Sequence, residues 1–399
     1  MNTLSDQTVE EFVALRRDIH RHPELAFEEH RTSALVASKL REWGYEVTTG
    51  LGGTGVVGRL VRGKSGRRIG LRADMDALPI EEATGAHWSS CHRGVMHACG
   101  HDGHTAMLLA AARELARSDR FDGTLHLIFQ PAEEGGGGAL EMINDGLFER
   151  FPCDAIFAMH NMPGFAQGQL MFRGGPMMAS SDYATVTLHG VGGHGGLPHL
   201  AADPVVGAAS IVMALQTLVS RNVDPLQPAV VTVGALQAGQ ANNVIPASAR
   251  LEISVRALDR HVRSVLEQRI KDLVTAQAQS LGLRAQIDWR PGYAVLINDL
   301  EQTARAVAVA QRHFPADKVN PLGPMLTGSE DFAFMLERVP GCYLLIGNGQ
   351  GDERGACMVH NPAYDFNDDN IGTGASFWIA LVHELLSPTT VTTQTLETT

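Results

Sequence analysis

Apolar positions recur at helical spacing from residue 8 to 43. Val9, Phe12, Val13, Arg16 and Ile19 form one stripe, and the segment Thr32 to Trp43 carries a second. His22-Pro23 divides the two, because a residue before proline is pushed out of the helical region, and Gly44 stops the second. β-Branched and apolar runs bounded by glycine then predict strands at Thr54 to Val61 and Arg68 to Ala73. An Ala/Leu-rich segment predicts a helix over His104 to Arg117, followed by strands at Thr124 to Phe129 and Ala155 to Met159. Helix and strand alternate, which predicts an α/β fold with a mostly parallel sheet flanked by helices.

The pattern changes near Met177 to Ser181. Strands are expected at Tyr183 to Leu188, Ala229 to Ala235 and Ala249 to Arg256, and helices at Pro204 to Leu218 and His261 to Ser280. Pro204 stands in the first turn, where its missing N–H costs nothing. Residues 181–293 therefore read as a smaller α+β domain interrupting a discontinuous one built from 1–180 and 294–386. The Thr-rich tail 387–399 has no periodicity and reads as disordered.

Composition narrows the partners. Acidic residues outnumber basic ones 44 to 32, for a formal net charge of -12. Without a long Lys/Arg run, that balance argues against nucleic acid or an anionic membrane surface. No apolar stretch reaches the roughly 20 residues that span a bilayer, and the N-terminus lacks a basic segment followed by an apolar one. Five cysteines in 399 residues make no disulfide framework. The expectation is a cytoplasmic protein with reduced thiols. Its 17 histidines exceed what a core needs, and several stand beside Cys and Glu.

Cys99 and His101 lie two apart at a Gly-rich turn before a helix, so a thiolate and an imidazole can face one point. The run Gln130 to Gly138 follows an apolar strand, and an open α/β sheet builds its sites at strand ends. Its adjacent carboxylates, Glu133 and Glu134, need a cation if both are buried; two solvated glutamates on a glycine linker are the plain alternative. His160 and His360 each read alone as a structural histidine. Together, Cys99, His101, Glu134, His160 and His360 make a shell for two divalent cations, with Glu133 left to act as base. Thiolate and imidazole suit Zn²⁺, Co²⁺ or Ni²⁺, and the carboxylate admits Mn²⁺.

Six ordered segments carry a resemblance: Ala73 to Pro79, MHACGHDGHTA, QPAEEGGGGA, AMHNMPG, GSEDF and HNPAYDFND. In them the chain resembles the M20 metallopeptidase clan, and within it the amidohydrolase branch of hippurate hydrolases, N-acyl-amino-acid amidohydrolases and indole-acetyl-amino-acid hydrolases. The match runs from about Arg16 to His383. The resemblance implies that Cys99 bridges the two metals, that His101, Glu134, His160 and His360 complete the ligand set, and that Glu133 is the general acid/base. Asp74 stands where other members carry a ligand histidine, so neither it nor Asp76 is assigned as a ligand. His97 and His104 are expected to be supporting groups.

The resemblance also implies that residues 181–293 are a dimerisation lid. Its His194, in Gly192-Gly193-His194, would hold the substrate carbonyl from the partner subunit of a homodimer or higher oligomer. Asn243 would lie at the substrate's carboxylate end. The implied reaction is hydrolysis of a small N-acyl amino acid to carboxylate and free amino acid. A dipeptide-type metallopeptidase and an indole-acetyl-amino-acid hydrolase are alternatives within the family. Outside it stand a Cys99 thiol nucleophile, a binuclear phosphoesterase and a non-catalytic metal-binding protein.

Overall fold

The computed structural model describes residues 4–388, so all but the first two residues of the 387–399 tail lie outside it. The described chain divides into two compact units. One holds the chain up to Gly175, Asn298–Pro324 and the part from Phe334 onward; the other holds Pro176–Ile297 and Met325–Ala333.

The first unit is built on an eight-stranded sheet in the order Glu46–Leu51, Gly55–Arg62, Gly123–Gln130, Arg68–Asp74, Ala155–Pro163, Gly341–Gly349, Leu170–Met171, Val319–Asn320. The four central strands run parallel, and both flanking pairs at one edge are antiparallel. Parallel strands covered on both faces must be apolar throughout, and Gly341–Gly349 is buried at all its positions. The helix expected from the first apolar stripe forms as Asp6–Arg21, and the Ala/Leu-rich one expected over His104 to Arg117 forms as His101–Ala116. Asn370–Leu385 packs beside His101–Ala116 and buries Phe377, Trp378 and Leu381 in the same core.

In the second unit a four-stranded antiparallel sheet runs Ala229–Ala238, Ser248–Ala257, Asp182–His189, Arg284–Pro291. One face alternates into a core of Val186, Leu188, Leu251 and Ile253 under helices Pro204–Asn222 and Arg260–Ser280. Pro204–Asn222 is long and apolar enough to cross a membrane, although no single apolar run in it is. It buries Gly207, Ala208, Ile211, Leu215 and Leu218 in this unit.

The sequence pattern places the GSEDF segment within 294–386, yet it groups with the second unit. Ala179 N–H reaches the carbonyls of Leu326 and Gly328, and Arg256 Nη1 donates to Ser329 Oγ at 2.9 Å.

Candidate metal centre and catalytic carboxylate

Strand register brings the first donors together. Asp74 pairs with Gln130 and Arg72 with Ala158, so the ends of Arg68–Asp74, Gly123–Gln130 and Ala155–Pro163 emerge side by side. This is where open α/β sheets place their chemistry. The adjoining helix begins at His101, three residues before the Ala/Leu-rich pattern predicts. Gly100 explains the shift. At φ 88 it turns the chain straight into the helix, and a Cβ there would collide with the Tyr364 hydroxyl and the Asn161 amide.

All five expected ligands and Glu133 lie in this unit and converge. Ligand atoms of Cys99, His101 and His160 lie within 4.8 Å of one another, as do those of Cys99, Glu134 and His360, and those of His101, Glu133 and Glu134. Cys99 Sγ is 3.4 Å from His160 Nε2, and His360 Nε2 is 3.2 Å from Glu134 Oε1. Cys99, His101, His160 and Glu133 are buried, while His360 stands half exposed at the rim.

The surroundings decide which atom each ligand presents. Asp76 Oδ1 takes His101 Nδ1 at 3.1 Å, leaving Nε2 buried without a hydrogen-bond partner. His160 donates Nδ1–H to the Asn161 carbonyl at 2.6 Å, so its Nε2 lone pair faces Cys99. Such partners fix tautomer and ring orientation at metal-binding histidines. Asp76 Oδ2 also accepts the Glu134 N–H at 2.8 Å. Both Asp76 oxygens are thus spent on holding two ligand-bearing residues.

Charge in the cluster is unbalanced in the way a cation would correct. Burial, reinforced by Glu134, Glu133 and Asp74, pushes the Cys99 thiol well above its ordinary range. Burial and the neighbouring imidazoles push His160 well below its usual value. Burial also opposes a charge on His101, but Asp74, Asp76 and Glu134 outweigh it and raise the group to about 10. Burial resists ionisation of Glu134, yet His360 and His101 hold it below the ordinary carboxylate value. A bound divalent ion reverses this logic, because it favours thiolate and neutral imidazole. Soft sulfur, imidazole nitrogen and carboxylate oxygen in one buried cluster, with an orphaned His101 Nε2, fit two such ions.

Beside His97 and His104, expected as supporting groups, stand residues to which the sequence assigns no role: Asn161, Tyr364, Arg72 and Arg16. Asn161 donates to the Cys99 carbonyl at 2.6 Å, its N–H donates to His104 Nε2 at 2.9 Å, and it accepts the Tyr364 hydroxyl at 2.8 Å. His104 completes this chain through Nδ1 to Asp74 at 2.6 Å, so neither of its nitrogens is left for a metal. Asp74 in turn pairs with Arg72 at 2.7 Å. His97 is buried with no hydrogen-bond partner at either nitrogen, and burial lowers it to about 4. Arg16, from the apolar stripe of the first helix, is wholly buried against Asp102 and Asp365, each at 2.7 Å. It ties that helix to the ligand turn and to the segment after His360.

The four glycines after Glu134 are no linker. Gly135 and Gly137 take φ 86 and 68, a Cβ on Gly138 would collide with the Pro131 carbonyl, and one on Gly136 with the Ala132 side chain.

His194 and Asn243 lie in the second unit, close to one another. His194 pairs with Val244 across a short antiparallel ladder, and Gly195 N–H donates to the Asn243 carbonyl at 2.8 Å. Exposed His194 accepts the Gly196 N–H at Nδ1 over 3.0 Å, so in its neutral form the ring proton sits on Nε2.

Comparison with known proteins supplies an independent finding. The family model described as Peptidase family M20/M25/M40 matches residues 70–384. A hippurate hydrolase from Campylobacter jejuni is 45% identical over 94% of this chain and 97% of its own length. An N-acetyl-L-cysteine deacetylase from Bacillus subtilis is 38% identical over 96% of this chain and 91% of its own. The solved structure of a dinuclear metal-binding M20 peptidase from Bacillus subtilis is 30% identical, with a TM-score of 0.83 over 96% of this chain and 99% of that one.

Proposed function

The chain belongs to peptidase family M20/M25/M40, and on that premise we propose that it is a metal-dependent amidohydrolase cleaving N-acyl amino acids to carboxylate and free amino acid. The observation carrying this reading is the convergence of Cys99, His101, Glu134, His160 and His360 on one buried cluster with Glu133 beside it. Those five residues would hold two divalent ions, Zn²⁺, Mn²⁺, Co²⁺ or Ni²⁺, and Cys99 belongs to two of the donor groups they form. When bound, the ions supply Lewis acidity towards the amide carbonyl and water of lowered pKa.

Glu133 takes the proton of the attacking water and delivers it to the leaving amine nitrogen, one carboxylate serving as base and then acid. His194 donates from Nε2 to the carbonyl oxygen as negative charge develops there, the task of an oxyanion donor. The Gly196 N–H supports this by holding the ring proton on Nε2. Asn243 serves the substrate's carboxylate end. We assign His194 to the partner in a homodimer. All five cysteines are free thiols, in keeping with a reducing compartment, and we place the protein in the cytoplasm.

Metal analysis followed by hydrolysis of N-benzoyl, N-acetyl and indole-acetyl amino acids tests the reading. Amine release that follows divalent-ion content is the expected result. Metal-loaded protein releasing amine from none of them would leave a metal-binding protein without this activity.

A further inference from the structure

Glu29 belongs to none of the motifs, yet it is wholly buried. Its Oε1 accepts two backbone N–H groups, Phe27 at 3.0 Å and Ala132 at 2.9 Å, and its Oε2 accepts the Thr54 hydroxyl. Phe27 and Ala132 share a rare feature. With His360 they are the non-glycine residues of positive φ among those described, at 64 and 52. A residue with a Cβ adopts that left-handed backbone only at a cost and holds it where its surroundings overdetermine it. One carboxylate oxygen supplies part of that determination for both.

Ala132 immediately precedes Glu133. On the far side, the Glu134 N–H is held by Asp76 at 2.8 Å. The base therefore sits between two amides, each fastened to a different buried carboxylate. The glycine turn closes over the same point: Gly138 N–H donates to the Ala132 carbonyl at 3.1 Å, and a Cβ on Gly136 would press on the Phe27 ring at 3.0 Å.

We infer that Glu29 is a positioning residue for the general base: by accepting the Ala132 N–H it holds Ala132 left-handed and so aims the Glu133 carboxylate. The inference rests on Glu133 being the base. Glu29 acts through the backbone and touches no reacting atom. Leucine in its place removes the acceptor, whereas glutamine keeps an oxygen that can receive both N–H groups and an amide that can donate to Thr54.

The test compares Glu29→Leu, Glu29→Gln and the double variant Glu29→Leu/Ala132→Gly at saturating metal. It reads kcat, KM, bound metal and amide exchange across residues 130–134. Expected are a kcat at least about tenfold lower in Glu29→Leu with KM within about threefold, and near wild-type kcat in Glu29→Gln. The double variant should regain most of the loss, because glycine adopts the left-handed backbone freely. Amide exchange should rise in Glu29→Leu and stay protected in Glu29→Gln.

Wild-type kcat in Glu29→Leu, or a loss that Glu29→Gln shares and Ala132→Gly does not relieve, would overturn the inference. Should Glu29→Leu fail to fold, Glu29→Asp replaces it, its shortened side chain drawing back from Ala132; kcat equal to that of Glu29→Gln would then overturn it. Glu133→Gln run alongside separates the two levels: undiminished turnover there removes the base assignment itself, while an inactive Glu133→Gln beside a fully active Glu29→Leu removes only the role of Glu29.

Discussion

His101 and His194 are both assigned to the reaction, yet their settings are opposite. His101 is wholly buried, with Asp76 on one nitrogen and no hydrogen-bond partner on the other. His194 is exposed, and a backbone N–H two residues along its own chain sets its tautomer. The contrast extends to their surroundings. Around His101 polar side chains from distant segments hold the backbone and one another: Asn161 the Cys99 carbonyl, Tyr364 the Asn161 amide oxygen, Asp76 the Glu134 N–H, Glu29 the Ala132 N–H. Around His194 the support is backbone bonding within one short ladder. Buried donors must be prearranged, because an unpaired polar atom there is costly. An exposed donor can wait in water until substrate meets it. Substitutions of the proposed ligands around His101 should therefore cost metal, fold and chemistry together, and those at His194 chemistry alone.

The largest effect should come from the cluster itself. Cys99→Ala is expected to bind fewer than two divalent ions per chain and to lose hydrolysis, measured by metal analysis and amine release. Chelation of the wild type should do the same, with recovery on adding metal back. A Cys99 nucleophile would instead survive chelation, which would break the comparison at its root.

Gly100→Ala and Gly196→Ala then oppose the two settings directly. Alanine at 100 must hold φ 88 and collides with Tyr364 and Asn161, so thermal or urea unfolding should show a loss of about 3 kcal/mol. A Cβ at Gly196 meets only the exposed His194 ring, at 3.2 Å, and the change in stability should stay within about 0.5 kcal/mol. Equal losses at the two glycines would erase the distinction. His194→Ala should lower kcat about 100-fold, the scale of one lost oxyanion donor, with metal content and unfolding temperature unchanged.

A smaller effect sharpens the picture of the buried unit. Burial holds His126 near 4 against an ordinary 6.5. The unfolded chain thus takes a proton near pH 6.5 that the folded chain refuses until about 4. Stability from this group is full above pH 6.5 and lost as pH falls towards 4, on the order of 2–3 kcal/mol. Unfolding measured from pH 7 to 4 should show an acid limb, and His126→Gln should make it shallower by that amount, leaving the share of the other buried imidazoles such as His97.

How much of this was legible depended on whether a residue's meaning was local. Cys99, Glu133 and Glu134 stand out as candidates, because a thiolate and paired carboxylates at strand ends suit a cation, although two solvated glutamates fit the same pattern. Helical periodicity likewise placed Asp6–Arg21, and alternation placed Asp182–His189, because each buries one face. Gly341–Gly349 went unread: a strand buried on both faces has no period. Asn161 and Tyr364 fall inside the AMHNMPG and HNPAYDFND segments but carry no local sign of a role, because the hydrogen bond that joins them spans 203 residues. Glu29 gave no signal, since a glutamate at a helix start ordinarily faces solvent. Arg16 sat in an apolar stripe, and only the carboxylates of Asp102 and Asp365 explain its burial.

The most direct test is turnover and bound metal measured together on Glu133→Gln. The account predicts two divalent ions per chain, as in the wild type, with kcat lower by about 10²- to 10⁴-fold. Near wild-type kcat with both ions in place would contradict it.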